Sequence, residues 1–327
     1  MRFVVYGAGA IGGVVGARLF QSGHDVVLVA RGAHLEAINA GGLRVEDPDG
    51  TVVLPIEAVG HPREVDWSIE DVALLAMKSQ DTVMALVALS EAALPDTPVV
   101  CVQNGVDNER RALRLFPRVY GVCVMCPAGH LQPGTVQAYS SPVTGMLDVG
   151  RYPSGVDELA VELASAFGSS TFDSLVRGDV MRWKYRKLLT NLGNAVEALC
   201  GPTARRGPVV ELARQEGVAC LEAAGIDFAT EREDADRRGS LLQVRSIAGE
   251  GRTGGSSWQS LARGAGSIET DYLNGEIVLL GRLFGIPMPV NELLCTHARA
   301  MATAGSAPGT ISEQEFLAQA KGTTIFP

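Results

Sequence analysis

Long apolar runs are missing from this 327-residue chain, and no segment of membrane-spanning length is expected. Cysteine is sparse and scattered. Cys101, Cys123, Cys126, Cys200, Cys220 and Cys295 do not form the dense pattern of a disulfide scaffold. The CxxC spacing at 123–126 falls in an expected strand, where residues three apart face opposite sides, so no redox or metal role follows. The five histidines (24, 34, 61, 130 and 297) lack metal-ligand spacing, and no metal is expected. Positive charge is in deficit: 28 Lys and Arg against 37 Asp and Glu give a net charge of −9. That balance speaks against nucleic acid and anionic membrane as partners, although a local basic site can still take an anionic small molecule. There is no internal repeat and no low-complexity tract. A first strand at Arg2 leaves no room for a cleaved leader, and the cytoplasm is the expected compartment.

What remains is an ordinary globular composition, 46% hydrophobic and 20% charged, long enough for two domains. The first half alternates strands and helices. Arg2–Tyr6, Asp25–Ala30, Val72–Met77 and Val99–Val102 are near-continuous apolar strands, as a parallel sheet covered on both faces requires. Ile11–Ser22, 82–90 and 156–167 are helical in pattern. A hairpin is expected over 43–54, turning at Asp47-Pro48-Asp49-Gly50. Residues 119–149 suggest a meander closing the sheet. From about Val180 the period is helical, with candidates at 182–199, 209–224, 231–246, 268–284 and 290–304. The Gly-rich run 249–257 is expected as a loop or linker. The fold class expected is therefore an α/β Rossmann-type N-terminal domain, residues 1–178, and an all-α C-terminal domain, residues 179–327.

Gly7-Ala8-Gly9-Ala10-Ile11-Gly12 directly follows the first strand and opens the first helix. In that context GxGxxG is a dinucleotide-binding turn. Gly7 allows the tight turn, Gly9 a close approach to pyrophosphate, and Gly12 close helix–strand packing. The helix N-terminus adds free amides and a partial positive charge. The second strand ends Val29-Ala30-Arg31-Gly32, with Arg31 where an NAD site carries an acidic residue. A guanidinium suits a 2′-phosphate, so NADPH is the expected cofactor.

The chain resembles the ketopantoate reductase (2-dehydropantoate 2-reductase) family along nearly its whole length. The resemblance rests on GAGAIG, Ala76-Met77-Lys78, Gln103-Asn104-Gly105, Arg186-Lys187-Leu188-Leu189-Thr190-Asn191 and Glu269-Thr270-Asp271-Tyr272-Leu273-Asn274-Gly275. It implies NADPH-dependent reduction of a small-molecule 2-oxo acid, foremost 2-dehydropantoate to pantoate, on the route to pantothenate. It also implies site roles. Lys187 matches the catalytic lysine, whose ammonium stabilises the developing negative charge and delivers the proton. Asn191, four residues on, shares its helix face. Glu269 matches the essential acid that holds a substrate hydroxyl and orients Lys187. It is expected in the first turn of the helix carrying Tyr272 and Asn274, where the helix dipole favours a carboxylate. Asn104 is implied to contact the nicotinamide ribose and the catalytic lysine, Lys78 to lie near the cofactor, and Asn191, Asn194, Ser257 and Asn104 to face the substrate. A homodimer is a possible assembly.

The substrate side departs from the family pattern. Asn194 follows Asn191 by three residues instead of four, and no proline comes after it. The family's S-S-M-x-Q-D run is Ser256-Ser257-Trp258-Gln259-Ser260-Leu261 here, and an expected asparagine is Gly254. A threonine- and histidine-rich strand is replaced by Gly121-Val122-Cys123-Val124-Met125-Cys126. Trp183 and Trp258 are packing or pocket-wall residues. Two alternatives stay open: a related 2-oxo or 3-hydroxy acid dehydrogenase with another substrate, and a non-catalytic NADPH-binding sensor.

Overall fold

The computed structural model describes residues 1–264 and 266–323. Its first half alternates strand and helix. β1 (Arg2–Tyr6), α1 (Ala10–Gln21) and β2 (Asp25–Val29) lead to α2 (Gly32–Gly41). The hairpin β3 (Leu43–Asp47) and β4 (Gly50–Leu54) follows, then β5 (Glu57–Val59). Next come β6 (Asp71–Leu75), α3 (Thr82–Ser90), β7 (Val99–Cys101), α4 (Asn108–Ala112) and β8 (Val119–Met125). β9 (Ala128–Gly129), β10 (Thr135–Ala138), β11 (Gly145–Arg151), α5 (Glu158–Ser169) and β12 (Phe172–Asp173) complete this part.

Eight strands form one sheet, ordered β12-β11-β8-β7-β6-β1-β2-β5. From β5 to β8 they run parallel, and β11 closes antiparallel to β8. Apolar strands are required because both faces are covered. α1 and α5 pack on one face with Phe3, Val5, Leu28, Leu74 and Phe167. α3 and α4 pack on the other with Leu75, Leu86, Leu89 and Phe116. The chain leaves β1 toward β2 and later returns to the opposite side at β6. The strand order therefore reverses between β1 and β6, where open α/β sheets bind ligands beyond the strand carboxyl ends.

The hairpin forms as expected, its turn held by Asp47 Oδ1 accepting from the Asp49 and Gly50 amides at 2.9 Å each. The 119–149 stretch splits. β8 and β11 join the main sheet, while β9 and β10 build a smaller sheet, β4-β3-β10-β9. α2 was not expected from the sequence. It begins and ends in glycine and buries only Ile38, so it carries little helical period.

The C-terminal region is helical: α6 (Val180–Asn191), α7 (Gly193–Cys200), α8 (Pro208–Ala223), α9 (Glu231–Arg238), α10 (Ser256–Ala262), α11 (Asn274–Phe284), α12 (Pro289–Ala304) and α13 (Glu313–Thr323). The expected 231–246 helix stops at Arg238. Gly239 takes φ +44°, and the next residues turn to the sheet domain, where Arg245 N donates to Tyr139 O at 2.8 Å. The Gly-rich run is not wholly loop, because α10 starts inside it at Ser256. No helix among the described residues is long and apolar enough to cross a membrane.

Contacts group the chain into two compact units. One is Met1–Lys184 with Glu231–Arg252, and the other is Tyr185–Thr230 with the chain from Thr253 onward. The sequence placed a single boundary near Gly178. The division instead falls inside α6, and residues 231–252 return to the first unit. Arg237 explains the return: its Nε is 2.9 Å from Asp148 Oδ2, and its guanidinium also pairs with Asp173.

Candidate functional site

In the first unit the glycine turn has the geometry its spacing demands. Gly7 has φ +101°, and a Cβ there would lie 2.7 Å from the Met77 amide nitrogen. A Cβ on Gly12 would come within 2.1 Å of the Gly7 carbonyl oxygen and 2.8 Å of Ala76 Cβ. Gly9 differs: a Cβ there would have nothing within 4 Å. So Gly7 and Gly12 are small because protein presses on them, whereas Gly9 borders open space. Gly9 also caps α1, and no side chain caps that helix. Its N-terminal amides and dipole favour an anion there.

His34 supports the turn from behind and was missed by sequence reasoning. Its Nε2 is 2.7 Å from Ala8 O, and its Nδ1 accepts from Gly134 N at 2.8 Å. A ring that accepts at Nδ1 must carry its proton on Nε2, so this histidine is neutral. Burial pushes its pKa down, partly opposed by the Ala8 hydrogen bond. Only its position after Arg31 hinted at it.

Three further residues sit beyond strand carboxyl ends. Arg31 precedes α2 and is 85% exposed, its guanidinium 3.3 Å from Asp81 Oδ2. Lys78 follows β6 and begins the 3-10 turn Ser79–Asp81. Asn104 follows β7, ahead of Gly105 at φ +81°. The structure thus brings the glycine turn, Arg31, Lys78 and Asn104 to one edge of one sheet.

A buried polar network links the Lys78 and Asn104 turns. Gln103 Nε2 donates to Met77 O at 3.0 Å and to Thr82 Oγ1 at 2.8 Å. Thr82 Oγ1 donates to Asn108 Oδ1, and Asn108 Nδ2 donates to Ser79 Oγ and to Asn104 O. A fully enclosed ion pair, Lys184 with Glu109, completes it at 2.6 Å. The sequence offered Lys184 only as part of a basic stretch.

In the second unit Lys187 is half-buried on α6, while Asn191 and Asn194 are buried one and two turns further on. Asn274 Nδ2 donates to Leu192 O at 3.1 Å, at the irregular residue between α6 and α7. Asn291 ties Asn274 to Glu216, which also accepts from the Val290 and Asn291 amides. Ser257 lies on α10, which packs on α7, and Ser257 is 1% exposed with no hydrogen-bond partner for its hydroxyl. Glu269 is 3% exposed. It does not lie in the first turn of the helix carrying Asn274. It opens a separate 3-10 turn, Glu269–Tyr272, and Leu273 (φ −113°, ψ −85°) interrupts the path into α11. The helix-dipole argument for its charge therefore fails.

Trp183 is a packing residue, with the Arg177 guanidinium 3.9 Å over its ring. The Trp258 ring fills the space a side chain at Gly254 would need, as close as 2.4 Å to that Cβ position. Neither Cys123 nor Cys126 is in a disulfide, and burial pushes the Cys126 thiol up to about 12. Among the described residues no cluster of three or more His, Cys, Asp or Glu could hold a metal ion.

A family model described as ketopantoate reductase PanE/ApbA matches residues 3–153, and its C-terminal counterpart matches residues 179–302. A 2-dehydropantoate 2-reductase of Pyrococcus horikoshii is 29% identical over 313 residues, covering 93% of this chain and 99% of its own. The crystal structure of a PanE/ApbA family ketopantoate reductase from Ralstonia eutropha JMP134 superimposes with a TM-score of 0.78 at 29% identity, covering 93% of this chain and 99% of that one. A ternary structure of D-mandelate dehydrogenase with NADH and anilino(oxo)acetate gives 0.79 at 23% identity, with the same coverage, which shows a shared fold.

Proposed function

The chain belongs to the ketopantoate reductase PanE/ApbA family, and on that premise we propose that it reduces a 2-oxo acid to the 2-hydroxy acid with NADPH, 2-dehydropantoate to pantoate being the leading case. One observation carries the proposal. Within the helical unit, Asn191, Asn194, Ser257 and Glu269 are all buried, and the Ser257 hydroxyl has no protein partner. Burying a hydroxyl without a hydrogen bond costs about 1–3 kcal/mol, a cost that a hydrogen bond from Ser257 to a substrate carboxylate would offset.

The residues present fit the cofactor. The open side of Gly9 and the uncapped start of α1 offer backbone amides to a pyrophosphate. Arg31 would hold the 2′-phosphate through its exposed guanidinium. Asn104 and Lys78 would bound the nicotinamide end. When bound, the nicotinamide supplies the hydride that reduces the carbonyl carbon.

Lys187 then has the central task. Negative charge develops on the carbonyl oxygen as hydride arrives, and the Lys187 ammonium stabilises it and gives up a proton to form the hydroxyl. Glu269 accepts a hydrogen bond from a substrate hydroxyl and orients Lys187. Ser257 and Asn194 donate to the substrate carboxylate, and Asn191 supports Lys187 from the next turn. A cytoplasmic enzyme, working as a homodimer, is consistent with this role.

A second substrate is favoured by one specific feature. The Trp258 ring packs against Gly254, where the family pattern has an asparagine, so the amide is lost there and an aromatic ring stands beside its place. An aromatic or otherwise apolar 2-oxo acid is the alternative substrate class that this change favours. Steady-state assays with 2-dehydropantoate, 2-oxoisovalerate, pyruvate and phenylglyoxylate, each with NADPH and NADH, decide between them. The highest kcat/KM is expected for 2-dehydropantoate with NADPH. Preference for phenylglyoxylate would move the substrate to the aromatic class. Tight NADPH binding with no turnover on any of them would leave a sensor.

A further inference from the structure

The Lys184–Glu109 pair has no part in the mechanism above, yet it is the most enclosed ion pair among the described residues. Lys184 is 2% exposed. Its ammonium pairs with Glu109 Oε1 at 2.6 Å and donates to Gln103 O at 2.8 Å and to Val122 O at 3.2 Å. The slot exists because β8 carries a glycine there. A Cβ on Gly121 would lie 3.3 Å from Glu109 Oε1 and 3.4 Å from Lys184 Cδ.

Such a pair is a poor device for stability. Apolar residues of similar volume often do as well, whereas breaking one partner leaves a buried charge. What apolar residues cannot do is grip a carbonyl. Lys184 grips that of Gln103, the residue before Asn104, and the Gln103 side chain fixes the Met77 carbonyl next to Lys78. Glu109 lies on α4 beside Asn108, which holds Asn104 O at 3.1 Å. The hydrogen bonds to the Gln103 and Asn104 carbonyls therefore come from Lys184 and from Asn108, the neighbour of Glu109.

We propose that Lys184 and Glu109 are positioning residues that lock the Gln103-Asn104-Gly105 backbone so that the Asn104 side chain meets the nicotinamide end of the cofactor in one orientation. The proposal rests on the function assigned above to that turn. Lys184 precedes Lys187 by three residues in α6, so one helix supplies the positioning lysine and the catalytic one.

The test separates support of the fold from support of the turn. Lys184→Met and Glu109→Leu are made singly and together in the full chain. Each single variant is expected to lose thermal stability, and the double variant to recover most of it. The double variant should still fall roughly 10- to 100-fold in kcat, as a misplaced contact near the chemistry does, with a smaller change in Kd for NADPH. A stable double variant with wild-type kcat would overturn the proposal. If the wild-type chain turns over no 2-oxo acid, the assigned function fails, and amide exchange in the peptide spanning 103–106 becomes the readout. Faster exchange there in the folded double variant supports the locking role, and unchanged exchange refutes it.

Discussion

Replacing Gly9 and Gly12 separately by alanine turns the glycine-turn geometry into numbers. At Gly9 the backbone is extended (φ −71°, ψ −155°), which alanine adopts, and the new methyl has nothing within 4 Å. Two small effects oppose each other there. Alanine restricts the unfolded chain, worth about 0.4–1 kcal/mol in favour of folding. It is a poorer helix cap than glycine, by roughly the same amount. Gly9→Ala should therefore leave Tm within about 2 °C of the wild type. Its methyl projects into the space assigned to the pyrophosphate, so NADPH affinity should fall at least tenfold, which is about 1.4 kcal/mol. Gly12→Ala behaves differently. Its methyl would sit 2.1 Å from a backbone oxygen, so strand and helix must separate. Overpacking of this kind costs about 1–3 kcal/mol, of which helix propensity returns about 1. Tm and affinity should both fall. Thermal melts and fluorescence titration with NADPH read the two quantities independently. Wild-type affinity in a folded Gly9→Ala protein would refute phosphate binding at this turn, and a large Tm loss in it would refute the open geometry.

Arg31→Ala should weaken NADPH roughly 10- to 100-fold, the loss of charge-assisted hydrogen bonds, and NADH hardly at all; equal losses in parallel titrations would remove the 2′-phosphate role. Lys187→Ala should lower kcat by roughly two to four orders of magnitude with NADPH binding retained; unchanged turnover would take Lys187 out of the chemistry. Ser257→Ala removes a buried hydroxyl that has no partner, so Tm should hold or rise while KM for the 2-oxo acid increases; an unchanged KM would leave Ser257 without a substrate role. His34 is a base whose pKa is lowered in the folded protein, so the unfolded chain takes up its proton first as pH falls. Its contribution is complete above the unfolded value of about 6.5 and shrinks as pH drops below it. His34→Gln should flatten the Tm profile between about pH 7 and 5 relative to the wild type, and superimposable slopes would refute the neutral-ring assignment.

What the sequence made legible was whatever depends on local period or on a short motif in context. The apolar strands, the 43–54 hairpin and the glycine turn follow from residues within a few positions of one another. Failures came where distant residues decide. The helix begun at Glu231 was expected to reach Ser246, but Gly239 and the backbone partners at 139–141 draw the chain out of helix. Glu269 was placed at a helix start because four helix-compatible residues follow it, and only the packed structure shows the break at Leu273. Lys184 and Lys187 are the sharpest case. Three residues apart in one basic run, they look alike, yet one is sealed against Glu109 and the other is half-buried. Nothing local distinguishes them, because the partner that seals Lys184 lies 75 residues earlier, on α4.

The charge balance leads to the same conclusion by another path. A chain of net charge −9 is assigned an anionic cofactor and an anionic substrate, so its mean field opposes both. At physiological ionic strength that field is screened within about 8 Å, and what matters is the charge a ligand meets at contact. At the sheet edge those charges are the start of α1 and the side chains of Arg31 and Lys78, and in the helical unit Lys187. Arg31 itself stands 3.3 Å from Asp81, and several other basic residues near these elements pair with carboxylates. Arg182 pairs with Glu233, Lys184 with Glu109, Arg205 with Glu197 and Arg237 with Asp148. Binding should therefore weaken only modestly with salt, in proportion to the few cations that meet phosphate or carboxylate. A steep decline in NADPH affinity between low and physiological salt would mean that a broader basic surface than these few cations draws the cofactor in.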